Sequence, residues 1–509
     1  MNVTHRGLKM NRRLLSISFA LIAALTCTAQ GLSRHESLLR ANFWNEGSNP
    51  AGLRLDGRNF ASAQIGGLYR GGGFRGGSDP ESFWQTGASA MAVRHLDKFS
   101  MRGSFGFLDR ESYEACGSMF RNPGYFPVDV LEFTPGRKTS QEYSLYGGVS
   151  VDLGDRWAVG AALDFLSANT AKRKDLRYTG YALSMKFTPS VLYRGEGFVL
   201  GLSAVYERDT ETVSAEQIGS ATSAPQAFFD EGLMTGTLQA WKGSQTHLSE
   251  AGVSGLPVVQ NAFGAALQAQ WGGLYLDLKA SWLDGHVGER QIVWYRYGGP
   301  RFSGLAGLRI GSHSVRARVA AERLTNRESV IDKVVEGGVT LIHEYGSNQL
   351  LTRGNLSAGL EYEYLGRLWE ARAMLEGDFR QTVVSPKYPY IYTNDLKAFR
   401  AGVDGTVHIW HFDISAAASF SEGWSVDGES LSSAASADGV EAPYRMEDWY
   451  LRDSEMRTAP LLSAGLSLRW RIAWGLSVKP FGEYRHAFRT EYAPGPGRWT
   501  AGLKVEYDF

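Results

Sequence analysis

The chain has 509 residues and balances 53 Lys plus Arg against 53 Asp plus Glu, so its net charge gives no hint of nucleic-acid binding or of an acidic substrate. After Thr26 no stretch reaches the ~18 consecutive apolar residues that a membrane helix needs, which excludes a helical membrane protein. Sixty glycines, 12% aromatics and only 16 prolines suit long pleated strands bounded by aromatic belts.

Arg12 and Arg13 precede an apolar run from Leu14 to Thr26, too short to span a bilayer and laid out as a secretory signal peptide. Small residues at Cys27 and Ala29 place cleavage after Ala29, so residues 1–29 are the signal and Gln30 begins the mature chain. A lipoprotein cut before Cys27 is the rival, but Thr26 stands where that signal wants Gly, Ala or Ser. With the signal removed Cys116 is the one remaining cysteine, and no intrachain disulfide can form. Residues 30–58 follow, ahead of a strand-forming region at 59–509.

From Phe60 onward apolar and polar residues alternate, the period that sends successive side chains to opposite faces of a strand. Tyr181, Leu183, Met185, Phe187 and Val191 alternate with Ser184, Lys186, Thr188 and Ser190. Trp369, Ala371, Ala373, Leu375 and Phe379 share a face opposite Glu370, Arg372, Glu376, Asp378 and Arg380, and Phe412 to Phe420 repeats the pattern. Leu462 to Trp470 and Ile472 to Val478 read as a hairpin with its turn at Arg471. Each run reaches the ~9 to 11 residues with which a tilted strand crosses a bilayer.

Short and long connections take turns along the chain. Short ones are expected near 96–98, 154–156, 194–196, 271–273, 311–313, 366–367, 410–411 and at Arg471; long polar ones near 111–139, 168–177, 210–258, 284–300, 325–352, 380–396, 422–457 and 489–497. Trp157, Trp271, Trp369, Trp410, Trp470 and Trp474 all sit beside short turns, as one interfacial girdle would place them. A sheet this long left open would expose unpaired backbone, so closure is expected. The reading is an all-β, antiparallel, up-and-down transmembrane barrel of about 18 strands, range 14 to 18, with long extracellular loops.

The last strand, Trp499 to Phe509, puts Trp499, Ala501, Leu503, Val505, Tyr507 and Phe509 on one apolar face. An alternating strand ending in an aromatic resembles the assembly signal of Gram-negative outer-membrane β-barrels. The resemblance implies an outer-membrane location, surrounding lipid and the barrel assembly machinery as partners, and Tyr507 and Phe509 as the signal. Near the other end Asn49-Pro50-Ala51-Gly52-Leu53 is similar to a run in the long-chain fatty-acid transporter family, where it precedes the first strand and helps form a plug inside the lumen. That resemblance implies a plug role for Asn49, Pro50 and Gly52; otherwise residues 30–58 are a plain periplasmic tail.

Glu370, Arg372, Glu376, Arg380, Arg469, Lys479, Glu483 and Arg485 are expected to line the lumen. They serve either as a salt-bridged, hydrated interior or as a selectivity lining, and Arg372, Arg380, Arg469, Arg485 and Arg489 read as a ladder guiding anionic groups. Catalysis is not expected, because His95, His408, His411 and His486, with Asp404 and Glu483 near in sequence, show no pairing motif. No metal or other cofactor is expected: His408 and His411 straddle a turn and Cys116 stands alone. The function read from all this is a channel or transporter for small or hydrophobic solutes. The alternative is a non-transporting barrel that docks envelope proteins through loops 210–258 and 422–457.

Overall fold

The computed structural model describes residues 39–174, 176–216, 226–240, 256–289, 292–336, 339–386, 391–428 and 446–509. The expected signal peptide, the cleavage site at Ala29 and the rival Cys27 lie outside the described residues.

Seven strands come first: β1 (Phe60–Gly72), β2 (Ser82–His95), β3 (Phe99–Ser118), β4 (Asp129–Leu153), β5 (Trp157–Lys172), β6 (Arg177–Arg194) and β7 (Phe198–Glu216). A small hairpin, β8 (Gln226–Asp230) and β9 (Gly236–Ala240), is followed by β10 (Leu256–Trp271), β11 (Leu274–Glu289), β12 (Ile292–Ile310), β13 (His313–Glu336) and β14 (Val339–Leu365). Then come β15 (Trp369–Val384), β16 (Tyr392–Ile409), β17 (Phe412–Asp427), β18 (Leu461–Ala473), β19 (Leu476–Ala487) and β20 (Gly497–Asp508). Of these twenty, β8 pairs with β9 and with the outer end of β4, which leaves eighteen in the wall among the described residues. Each wall strand pairs antiparallel with the next, β7 passes to β10, and β20 returns to β1 from Ser62↔Asp508 to Gly72↔Arg498. The barrel is closed, and among the described residues no wall edge remains unpaired.

Alternation decides the two faces. The outer face is apolar: Leu163, Phe187, Phe263, Leu267, Leu360, Leu375, Leu466 and Leu503 are all exposed there. A band of such side chains bearing on water would be unstable, and against lipid it is the stable arrangement. The six tryptophans beside the short turns are exposed on that surface too, Trp410 at 91% and Trp474 at 94%, forming a girdle at the headgroup level. This is an outer-membrane β-barrel.

Three expectations about connections need correction. The hairpin turn lies at Trp474–Gly475 rather than at Arg471, which continues in β18 opposite Ser477. Trp474 at φ 49° and Gly475 at φ 84° supply the left-handed pair that a two-residue turn needs to match the strands' twist. The regions 284–300 and 325–352 are not loops. β13 and β14 stay paired out to Glu336↔Val339, and β11 and β12 out to Glu289↔Ile292. At ~3.3 Å per residue, strands of 24 and 27 residues rise well past the ~9 to 11 that cross lipid. Beyond the bilayer the ladder no longer needs an apolar outer face, so polarity marks the membrane boundary and not the strand end. Likewise the connection expected at 111–139 shrinks to 119–128.

Candidate functional site

Inside the barrel, residues 39–58 lie against the inner wall. Two short helices shape this segment: α1 (Phe43–Glu46), capped by the Asn42 side chain on the Trp44 N–H at 3.0 Å, and a 3-10 turn at Pro50–Leu55. Asn49 caps the second, its Oδ1 accepting from the Ala51 N–H at 2.9 Å, and Pro50 at the first helical position needs no donor there. The Asn-Pro pair is thus a helix start.

The same Asn49 ties the segment to the wall, its Nδ2 donating to the Val191 carbonyl at 3.1 Å and to Gln268 Oε1 at 3.0 Å. Ser48 donates through its backbone N–H to Asp277 at 2.7 Å, and the Ser150 hydroxyl donates to the Ala51 carbonyl at 3.1 Å. Arg54 reaches Asp152 at 2.5 Å and the Ser100 hydroxyl at 2.9 Å. Phe43 stacks on Tyr275 with centroids 5.6 Å apart, and the Trp44 indole N–H donates to Gln270. Glycines make room for this approach: a Cβ at Gly160 would meet the Ala51 nitrogen at 2.5 Å, and one at Gly307 would meet the Phe43 ring at 2.5 Å.

Charge is balanced beneath α1. Arg316, on the inner face of β13 and fully buried, reaches Glu363 at 2.6 Å, Glu46 at 3.3 Å and Glu361 at 3.5 Å. Arg318 reaches Glu46 at 3.0 Å, and Arg40 pairs with Glu361. Three guanidinia meet three carboxylates, which is how a buried charge cluster stays affordable. At the foot of the segment Arg58 holds Asp56 at 2.8 Å and keeps its carboxyl below the usual carboxylate range against the opposing effect of burial. These contacts run from β3 round to β14.

Beside the segment, over β14 to β20, lies a cavity of about 520 Å³. Its walls alternate in sign: Arg372 pairs with Asp404 at 2.7 Å, Arg469 with Glu506 at 3.0 Å, and Arg471 with Asp413 at 3.1 Å. Leu365, Ile472 and Leu476 share the lining, but its paired charges favour water and polar solutes over apolar ones.

The extracellular mouth is filled differently. Loop 119–128 folds inward, where Arg353 donates to the Gly124 and Tyr125 carbonyls at 2.8 Å each and the Tyr125 hydroxyl donates to Asp209 at 2.9 Å. With Phe229 of β8, stacked on Tyr295 at 5.5 Å, it builds an apolar core against the inner faces of β4 to β15. Next to it burial pushes the Asp230 carboxyl up to about 8 and the Glu231 carboxyl to about 7. On the opposite side α2 (Met446–Thr458) spans the mouth: Asp453 accepts from the Gly77 N–H at 2.8 Å, and Glu455 from Tyr492 and Ala493 at 2.9 and 2.6 Å.

The residues read as lumen lining fall into separate places. Glu370, Arg372, Arg469 and Lys479 border the cavity, with His408 between Asp413 at 2.8 Å and Glu370 at 3.4 Å. Glu483 and Arg485 pair at 2.6 Å higher on β19, while Glu376 and Arg380 lie on the inner face of β15. Arg489 does not join them, since β19 ends at Ala487 and Arg489 sits in the connection that follows. His95 contacts Ser100 at 2.8 Å, and His486 stacks near Tyr484 on the outer face, so neither joins His408 and His411, which both border the cavity with Asp404. Arg40, Glu46, Arg316 and loop 119–128 were not singled out from the sequence. Arg316 and Glu361 both face inward, and their pairing across β13–β14 brings them together.

A family model described as a family of unknown function, DUF6850, matches residues 50–509. This chain belongs to that family. That match takes in Pro50 to Leu53 and gives no support to the likeness of the run to fatty-acid transporters. No curated protein matches the chain. Solved structures similar to it include the FrpB iron transporter (F3-3 variant) from Neisseria meningitidis, with a TM-score of 0.45, 9% identity and coverage of 91% of this chain and 83% of that one. A mutant ferric enterobactin receptor from Pseudomonas aeruginosa gives 0.40, 8%, 88% and 81%, and the ferric yersiniabactin uptake receptor FyuA from Yersinia pestis 0.38, 9%, 88% and 80%.

Proposed function

We propose that this barrel is a gated channel for small polar or charged solutes, with the N-terminal segment as its periplasmic gate and plug. The observation that carries the reading is the division of the lumen. A segment docked from β3 to β14 lies beside a charge-lined cavity over β14 to β20. The docking contacts combine hydrogen bonds and ion pairs, which exchange for contacts with water on release at modest net cost, with one small apolar cluster of Phe43, Trp44 and Ala51 against Ala158, Leu192 and Tyr275. The charged walls favour hydrophilic solutes over the hydrophobic ones that the sequence left open.

In planar bilayers the intact protein is expected to show little steady conductance, and deletion of residues 30–53 to raise it severalfold. A large open conductance in the intact protein would reject the gate. Equally low conductance after deletion would reject conduction and favour a barrel that anchors or docks other envelope proteins.

A further inference from the structure

Beneath the two closures of the mouth, three arginines meet without an acid to pair with. Arg353 and Arg380 stand on the inner faces of β14 and β15, and Arg457 reaches in from the last turn of α2. That turn presses on the inner face of β17, where a Cβ at Gly423 would meet the Arg457 carbonyl at 2.6 Å. The charges acting most strongly on Arg380 are Arg457 and Arg353, both of its own sign, which makes the three one group.

None of the three has an ion pair among the described residues, and Arg380 and Arg457 have no side-chain hydrogen bond there either. Arg353 donates to neutral carbonyls of loop 119–128 at 2.8 Å, and its Nε is buried with no partner among the described residues. Glu322 is the carboxylate that acts on both Arg353 and Arg380, and Arg301 already holds it at 2.7 Å. Lower on the inner wall the arginines are matched, Arg372 by Asp404 and Arg469 by Glu506. Asn355 supplies a second, independent sign. It stands directly across the ladder from Arg380 and is only 2% exposed, yet neither its amide nitrogen nor its amide oxygen has a hydrogen-bond partner among the described residues. Buried amides are ordinarily satisfied, and one left bare costs free energy.

We infer that Arg380 and Arg457, with Asn355 and Arg353 beside them, form a binding site for a small soluble oxyanion under the mouth closures. Guanidinia match the planar edges of phosphate and carboxylate groups, so an anion seated between them offsets the like charges, and its remaining oxygens suit the Asn355 amide nitrogen. The inference gives the solute class for the channel reading and rests on it for its role in transport. Binding itself can be measured without conduction.

The test is calorimetric titration of the full-length protein, folded in detergent, with inorganic phosphate and, separately, with succinate. Saturable binding of at least one of them, weakening as salt rises, is expected. Arg380→Gln and Arg457→Gln should each weaken it about tenfold or more, the value of one charge-assisted hydrogen bond. Asn355→Leu should weaken it too, with the heat-modifiable gel mobility of the barrel retained. Arg457 lies on a mouth helix and not in the wall, so its variant closes the barrel whatever the wall variants do. Arg94→Gln, exposed on the outer face of β2, should bind as the unaltered protein does. No binding of either anion to the unaltered protein, or undiminished binding in the folded arginine variants, would overturn the site. Binding without conductance would reject the channel and keep the site; conductance without binding would do the reverse.

Discussion

Arg316 shows what a single side chain contributes here. Its guanidinium is fully buried, and its three carboxylate partners come from two sources, Glu361 and Glu363 on the wall and Glu46 on the docked segment. Removing one member of such a cluster leaves the others buried and uncompensated, at a cost of about 3–5 kcal/mol. Arg316→Met is therefore expected to loosen the segment rather than the barrel. Protease added to detergent-folded protein should cut within residues 39–58 at least tenfold faster, with the heat-modifiable mobility of the barrel retained. Unchanged cutting would mean that the hydrogen bonds of Ser48, Asn49 and Arg54 hold the segment unaided. How far the sequence revealed such residues depends on whether their partners are local. Asn49 and Pro50 were singled out by a resemblance alone, although the cap and first-turn proline they supply act within a few residues and could have been read locally. Arg316 was not, because Glu46 lies 270 residues away in sequence and nothing local encodes that meeting.

Among the elements, alternation and short turns disclosed the wall strands, but polarity misled wherever strands outran the lipid, as in β13 and β14. The hairpin of β8 and β9 escaped notice for a related reason: five-residue strands carry too little pattern to stand out. That hairpin should respond to pH. Burial, with Asp129 and Glu231 adding repulsion, raises the Asp230 carboxyl to about 8; burial, with Glu328, raises Glu231 to about 7. Both values lie above the ~4 of an unfolded carboxyl, so the packed hairpin binds protons that the released one gives up. Its packing is fully stable below about pH 4 and loses stability as pH rises through 7 to 8. Amide exchange over residues 226–240 should accordingly quicken between pH 6 and 9, after correction for intrinsic exchange. Asp230→Asn/Glu231→Gln should abolish the trend. A flat profile, or one that persists in the variant, would contradict the assigned protonation.

For the whole molecule, the eighteen-strand wall was legible because one period-two pattern recurs from end to end, whereas the contents of the lumen depend on contacts between distant strands. Closure is the step on which everything else depends. β20 must complete ladders with both β19 and β1, and within lipid each backbone group left unpaired costs several kcal/mol. A barrel lacking that final pairing has no partly closed state of comparable stability, so the far end of β20 has a large effect on assembly. There Tyr507 and Phe509 pack edge to face with centroids 4.6 Å apart, and the Phe509 N–H donates to the Ala61 carbonyl at 2.9 Å. Tyr507→Ser/Phe509→Ser removes the apolar contact but spares the backbone ladder, so an effect on assembly would belong to the aromatic end itself. Membrane-inserted protein with heat-modifiable mobility is expected to fall severalfold while total synthesis stays level. Equal amounts of closed barrel in variant and unaltered protein would reject the assembly role of these two rings and leave closure to backbone pairing alone.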